Sequence, residues 1–291
     1  MIYDIVHTTN YLFHRPVELG WHRLAFRPRD GHDMRVLATS LEVTPGERQV
    51  DLVQDVYGNS VAMVLPQSPS DQLRIESRFT VEHVGSQAFD LPAVAEAELI
   101  PPAYSNAERL ALQPFLLPSF EDGGNRVRAW AQQFVPVGSD PLARPAITQM
   151  TQHMRSTLLY TRREEEGVQD PLQTLELGSG SCRDYATLMI DALRRLGIAA
   201  RFVSGYVHSP GGEFDASAGA THAWVQCFLP HCGWFPVDPT NNLIGGHDLI
   251  RIAVARQASE VSPLSGEWFG DPVDFASMQV DVQVNARGPR S

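Results

Sequence analysis

Three residues have the types and spacing for nucleophilic acyl chemistry: Cys182, His222 and Asp238. Cys182 follows Leu177-Gly-Ser-Gly-Ser and opens a stretch in which Leu188, Met189, Ala192, Leu193 and Leu196 form one apolar face. The pattern predicts a flexible Gly-Ser loop that delivers a thiol to the first turn of a helix. Unpaired backbone N–H groups and the positive end of the dipole favour a thiolate there and could hold an oxyanion. Most free cysteines are small buried hydrophobes, but a core cysteine needs no Gly-rich approach. A thiol nucleophile needs a base, and the base needs a group to orient it. His222 opens a strand pattern over residues 221–229, and Asp238 follows a second pattern over 233–237. The turn Pro230-His-Cys-Gly233 would pair these strands as a hairpin, so His222 and Asp238 meet at one sheet edge. The expected arrangement is Nδ1–H to the carboxylate, with the remaining ring nitrogen facing Cys182. The chain holds ten histidines, so it is the hairpin that gives this set meaning.

The elements that position these residues can be read along the chain. Polar–apolar alternation over 3–13, 38–43, 61–65 and 73–84, broken by Pro45-Gly46, Tyr57-Gly58-Asn59 and the 66–71 turn, predicts an antiparallel β-sandwich over residues 1–88. Residues 89–291 read as a second domain. Its helical layer, 100–160, begins with a Ser105–Glu108 capping box before a short helix limited by Pro114. Helical patterns follow at 125–134 and, with Asp140 as cap, up to Leu159. The Cys182 helix runs over 182–196 and is stopped by Gly197. A sheet spanning 199–284 is expected from strands at 199–208, 221–229, 233–237, 249–255 and 278–284. The fold class is α+β.

Four motifs carry a family resemblance: Gly180-Ser-Cys-Arg-Asp-Tyr-Ala, Ala200-Arg-Phe-Val-Ser-Gly-Tyr206, Thr221-His-Ala-Trp224 and Gly233-Trp-Phe-Pro-Val-Asp-Pro-Thr-Asn241. Together they resemble the bacterial transglutaminase-like superfamily. Residues 3–11 with Asp55-Val-Tyr-Gly-Asn59 are similar to the β-rich N-terminal domain that precedes this core in many bacterial members, and 248–256 resembles the strand that follows it. The resemblance implies a papain-like core in which the catalytic helix packs on an antiparallel sheet. It also implies Cys182 as nucleophile, His222 as general base and acid, and Asp238 as orienting carboxylate. The expected activity is that of a cysteine amidase or peptidase working through a thioester acyl-enzyme. The alternatives are an amine-transferring transglutaminase and a non-catalytic binding module on the same fold.

Tyr160, Ser181 and Trp224 are candidates for the oxyanion site or the cleft wall. Tyr160 could donate a hydrogen bond, and Trp224 projects to the same strand face as His222. Packing roles compete for both residues. Cys227, His231 and Cys232 lack a second metal-binding pair, and Cys227 lies on the opposite strand face from His222, so core or turn cysteines are expected and no metal or cofactor. Residues 162–166, Arg-Arg-Glu-Glu-Glu, read as a solvated turn. Asp184 suits the helix dipole, and Arg183 could meet an acidic substrate.

The 23 basic residues are all arginine, since lysine does not occur, and the net charge of -11 argues against nucleic acid as a partner. Three cysteines and a start without a basic or long apolar segment suggest reduced thiols in a cytoplasmic protein, with no membrane partner. The expected partner is a peptide or small amide substrate. The composition is also compatible with a homo-oligomer.

Overall fold

A computed structural model describes residues 1–91, 98–135, 141–163, 165–208 and 221–288. The chain opens with five strands: β1 (Ile2–Arg27), β2 (Met34–Thr44), β3 (Glu47–Gln54), β4 (Ser60–Pro66) and β5 (Ser70–His83). β1 is long enough to serve two sheets. Residues 2–12 pair with β5, which carries β2 on its far side, while the stretch from His22 to Arg27 pairs with β4, which carries β3. The β1–β5 register breaks between Leu12 and Val17. Phe13, Val17, Leu24, Val64, Leu73 and Ile75 fill the space between the two halves. The alternation expected of a sandwich is thus met with one strand bent across both layers.

A helical layer follows: α1 (Asn106–Leu116), α2 (Arg126–Gln132), α3 (Ala143–Thr157), the short strand β6 (Leu159–Tyr160), α4 (Pro171–Leu177), a second short strand β7 (Ser179–Gly180), and α5 (Cys182–Arg195). Ser105 and Glu108 cap α1 reciprocally, as their spacing predicts. Pro114 does not limit that helix. It lies within the last turn, and the helix ends only at Leu117, which adopts the extended backbone that Pro118 imposes on the residue before it. Asp140 lies outside the described residues, and the N-cap position of α3 is Leu142. The sequence reading missed α4, although its signals are present. Asp170 caps it, Pro171 takes the first helical position, and Gly178 closes it in the left-handed region at φ 59. The predicted stop of α5 is met: Gly197 has φ 77.

The last strands are β8 (Ala199–Val207), β9 (His222–Leu229), β10 (Gly233–Asp238), β11 (Leu243–Ile244), β12 (Leu249–Ala255), β13 (Leu264–Phe269) and β14 (Phe275–Arg287). β8 to β12 form an antiparallel core sheet ordered β11-β10-β9-β8-β12. On one of its faces Leu188, Met189 and Leu193 of α5 join Ala200, Phe202, Val225 and Val237. On the same face, further along β8 and β12, Tyr3, Ile5, Phe79 and Val81 of the N-terminal sandwich pack on Tyr206, Ile250 and Ile252. The helix-on-sheet core and its α+β class are those the sequence predicts.

The strand predicted at 278–284 does not join this sheet. β14 lies beside β1 instead, in register from Ile2↔Arg287 to Phe13↔Phe275, and β13 pairs with the second half of β1. Alternation marks a strand but not its partner. Here Val280, Val282 and Val284 supply an apolar face that fits beside Tyr3 and Ile5 over the core sheet. The sandwich is therefore completed from the far end of the chain. Among the described residues no helix is long and apolar enough to cross a membrane.

Gly205 stands opposite His222 in the β8–β9 ladder. A Cβ there would overlap the Ile250 carbonyl oxygen and lie 2.7 Å from the Trp224 ring. Gly205→Ala should cost about 1–3 kcal/mol by overpacking, read as a lower urea midpoint at unchanged slope.

Candidate active site

The tip of α5 is held by a buried charge. Asp184, fully buried in the helix's first turn, accepts hydrogen bonds from the Ser181 backbone N–H and hydroxyl at 2.8 Å each, from the Gln169 N–H at 2.7 Å and from Arg163 Nη1 at 2.8 Å. Burial pushes the Asp184 carboxyl up, but these donors hold it below the usual range. The Ser181 hydroxyl is thus engaged by the helix cap rather than offered to a substrate. Arg163 is not part of a solvated turn, because a carboxylate removed from water needs a cation beside it, and that need is invisible in the local run 162–166. Arg183 donates to the carbonyls of Arg163 and Glu165 at 3.3 and 3.2 Å, tying the same segment to α5.

The Gly-Ser approach is likewise no loose loop. β7 pairs in parallel with β6, with Thr161 N–H donating to Gly180 O at 2.9 Å. At Gly180 a Cβ would come within 2.8 Å of the Asp184 Cβ. Glycine serves close packing here, and Cys182 is only 8% exposed. This pairing also brings Tyr160 to the thiol. Burial, then the charge of Cys182 beside it, push the phenol's pKa up, and the two side chains share a hydrogen bond.

His222 opens β9, and Asp238 closes β10 across the predicted hairpin. Their side chains meet, both buried, with Nε2 at 2.8 Å from Asp238 Oδ2. The nitrogen is the opposite one from that expected. The β9–β10 register ends at Val225↔Val237, so Asp238 continues it opposite Trp224 and is a diagonal neighbour of His222. Only the distal ring nitrogen spans such a gap. Nδ1, buried and otherwise unpartnered, is left to the Cys182 thiol next to the ring. Asn241, which sequence reasoning quoted but gave no role, donates its Nδ2 to Asp238 Oδ2 at 2.7 Å and lies 3.3 Å from His222 Nε2. The backbone N–H groups of Thr240 and Asn241 take the other carboxylate oxygen at 2.9 and 3.3 Å. The signal was the turn Asp-Pro-Thr-Asn, whose carboxylate bonds back to its own backbone.

Burial draws the His222 pKa down, but the charge and hydrogen bond of Asp238, with Cys182 alongside, raise it to about 10. Asp238 answers in the opposite sense: burial raises it, and the imidazolium, Asn241 and Thr240 hold it low. Trp224 stacks on His222 at 5.9 Å and 26°, fully buried with Val203, Leu249 and Val254, and so screens the pair from water. Cys227 lies in the core facing α5, whereas Cys232 sits beside Arg144 Nη2 at 2.9 Å, so the two thiols occupy separate surroundings. Cys182, His222 and Tyr160 line a cavity of about 510 Å³, whose far wall is the 258–263 segment with Met278 and Val280 of β14. That wall was not anticipated, because it depends on the long-range pairing of β14.

The ion pair makes a pH prediction. Below the ordinary histidine value of 6.5 the ring is charged whether folded or not, and its contribution is complete. From 6.5 to about 10 only the folded ring keeps its proton, so the contribution fades as pH rises. The lowered Asp238 acts at the other end, losing its share as pH falls below 3.8. Between pH 6.5 and 10 the urea midpoint should therefore fall more steeply for the unmodified protein than for His222→Gln. Parallel curves would remove the charged pair.

Residues 3–82 match the bacterial transglutaminase-like N-terminal region, and residues 128–239 match the transglutaminase-like superfamily. An uncharacterized protein of Mycobacterium leprae, ML0607, is 27% identical over 283 residues, covering 96% of this chain and 97% of its own. A protein-glutamine gamma-glutamyltransferase of Pseudomonas aeruginosa is 35% identical over 128 residues, which is 40% of this chain and 18% of that protein. A crystal structure from Cytophaga hutchinsonii, named for a proposed cysteine protease, shares the fold over 100% of this chain and 92% of its own, with a TM-score of 0.74 at 19% identity. The chain thus carries a transglutaminase-like superfamily core behind a bacterial transglutaminase-like N-terminal region.

Proposed function

We propose that the protein is a cysteine-dependent acyl-transfer enzyme that hydrolyses an amide through a thioester. The observation that carries this reading is the His222 ring, anchored by Nε2 to a saturated Asp238 and left with Nδ1 for Cys182 at a helix tip that opens on a cavity. In the first half-reaction the Cys182 thiolate attacks the amide carbon. The Cys182 backbone N–H, in the first turn of α5, and the Tyr160 hydroxyl are suited to the developing oxyanion. His222 then gives its proton to the departing nitrogen as the C–N bond breaks, leaving a thioester and a free amine. In the second half-reaction His222 takes a proton from water, the hydroxide displaces the Cys182 thiolate, and the acid leaves. An amine in place of water would give a new amide. The stretch shared with the Pseudomonas gamma-glutamyltransferase supports this as the second reading.

Iodoacetamide should alkylate Cys182 below pH 8 faster than Cys227 or Cys232, and His222→Ala should slow that labelling by about tenfold or more, as expected when a general base is lost. Equal rates at the three thiols would instead support a binding module. Cys182→Ala should abolish turnover while leaving the thermal midpoint close to that of the unmodified protein. Excess amine added to a turning-over sample separates the two enzyme readings, since free acid alone marks hydrolysis and an amine-containing product marks transfer.

A further inference from the structure

We infer that the substrate of Cys182 is an extended peptide that adds as a strand to the open edge of β14, an inference that rests on the thiol chemistry proposed above. β14 pairs with β1 along one side, and among the described residues no strand lies on its other side. Thirteen residues long, it therefore presents a row of unpaired N–H and C=O groups. Such edges are normally blunted by charge or proline. The outer strand β3 follows that rule, with Glu47, Arg48 and Asp51. Residues 276–280 of β14, Ala-Ser-Met-Gln-Val, carry neither.

The unguarded stretch is also the one that reaches the thiol. Met278 and Val280 line the cavity shared with Cys182 and His222, whereas Val282, further along the same face, is buried over the core sheet. Met278 is 48% exposed, a large apolar side chain left partly in water at the cleft. A peptide strand along this edge would gain backbone hydrogen bonds from β14 and set alternate side chains against Met278 and Val280. It would also carry one of its amides past Cys182. Main-chain pairing supplies affinity, and the pockets for alternate side chains supply selectivity. A small amide could exploit neither.

Two series of thiol probes test this on the intact protein: iodoacetyl-alanine peptide amides and acetyl-alanine peptide chloromethyl ketones, each of one to six residues, which run the chain in opposite directions from the sulfur. In both, Cys182 Sγ displaces halide from a methylene carbon and the halide leaves with the pair of electrons. One series should label Cys182 about tenfold faster at four residues than at one, as strand addition through main-chain bonds predicts. N-methylation of alternate amides in that peptide should erase the gain. Hydrogen exchange of the tetrapeptide-labelled protein should show slowed amides within 276–280 relative to the iodoacetamide-labelled protein. Rates independent of length in both series, a gain that survives N-methylation at every position, or protection absent from β14 would overturn the strand. If iodoacetamide itself shows no preference for Cys182 over Cys232, the thiol chemistry falls and the inference with it. A normal preference with no length effect removes only the peptide strand.

Discussion

The contact on which this architecture turns is the buried bond between His222 Nε2 and Asp238 Oδ2. A carboxylate and an imidazolium taken out of water are costly unless every remaining lone pair and proton finds a partner. The Asp-Pro-Thr-Asn turn supplies those partners to the carboxylate from its own backbone and from Asn241, and Trp224 keeps water off the ring. Gly205 gives Trp224 the room to lie there. Each of these features follows from the β9–β10 hairpin, and the ring's orientation follows from where that hairpin's register ends.

A second buried charge organises the other half of the site. Asp184 gathers Ser181, Gln169 and Arg163 around the tip of α5, so the segment that carries Tyr160 and the helix that carries Cys182 are fixed by one carboxylate. The two charged clusters are built on different elements, and Arg163 and Ser181 of one line the same cavity as His222 of the other. Precise placement of a reacting group requires such locked supporting residues.

What the sequence revealed and what it hid divide along the range of the interactions. The hairpin, the α5 helix and the Ser105 cap are local: a turn at Gly233, an apolar face with a glycine stop, and a three-residue spacing suffice to read them. The meeting of His222 and Asp238 was legible because it needed only the hairpin, whereas the approach of Cys182, which depends on α5 packing on the sheet, was carried by the family resemblance. The ring nitrogen was not, since it depends on a one-residue detail of register. Arg163 was misread because its partner is a buried acid on another element, and α4 because a seven-residue helix has too few turns to display a period. The placement of β14 lay furthest out of reach, because an alternating strand says nothing about which of two sheets will take it.

The long pairing of β1 with β14 also has a temporal side. During synthesis β1 emerges well before β14, and that flank stays unmatched until the later strand follows. The wall formed by Met278 and Val280 is made after Cys182, His222 and Asp238, which precede it in the sequence. Contacts between such distant segments form slowly. A nascent chain would thus hold the Cys182 sulfur in an unfinished groove, which β14 completes.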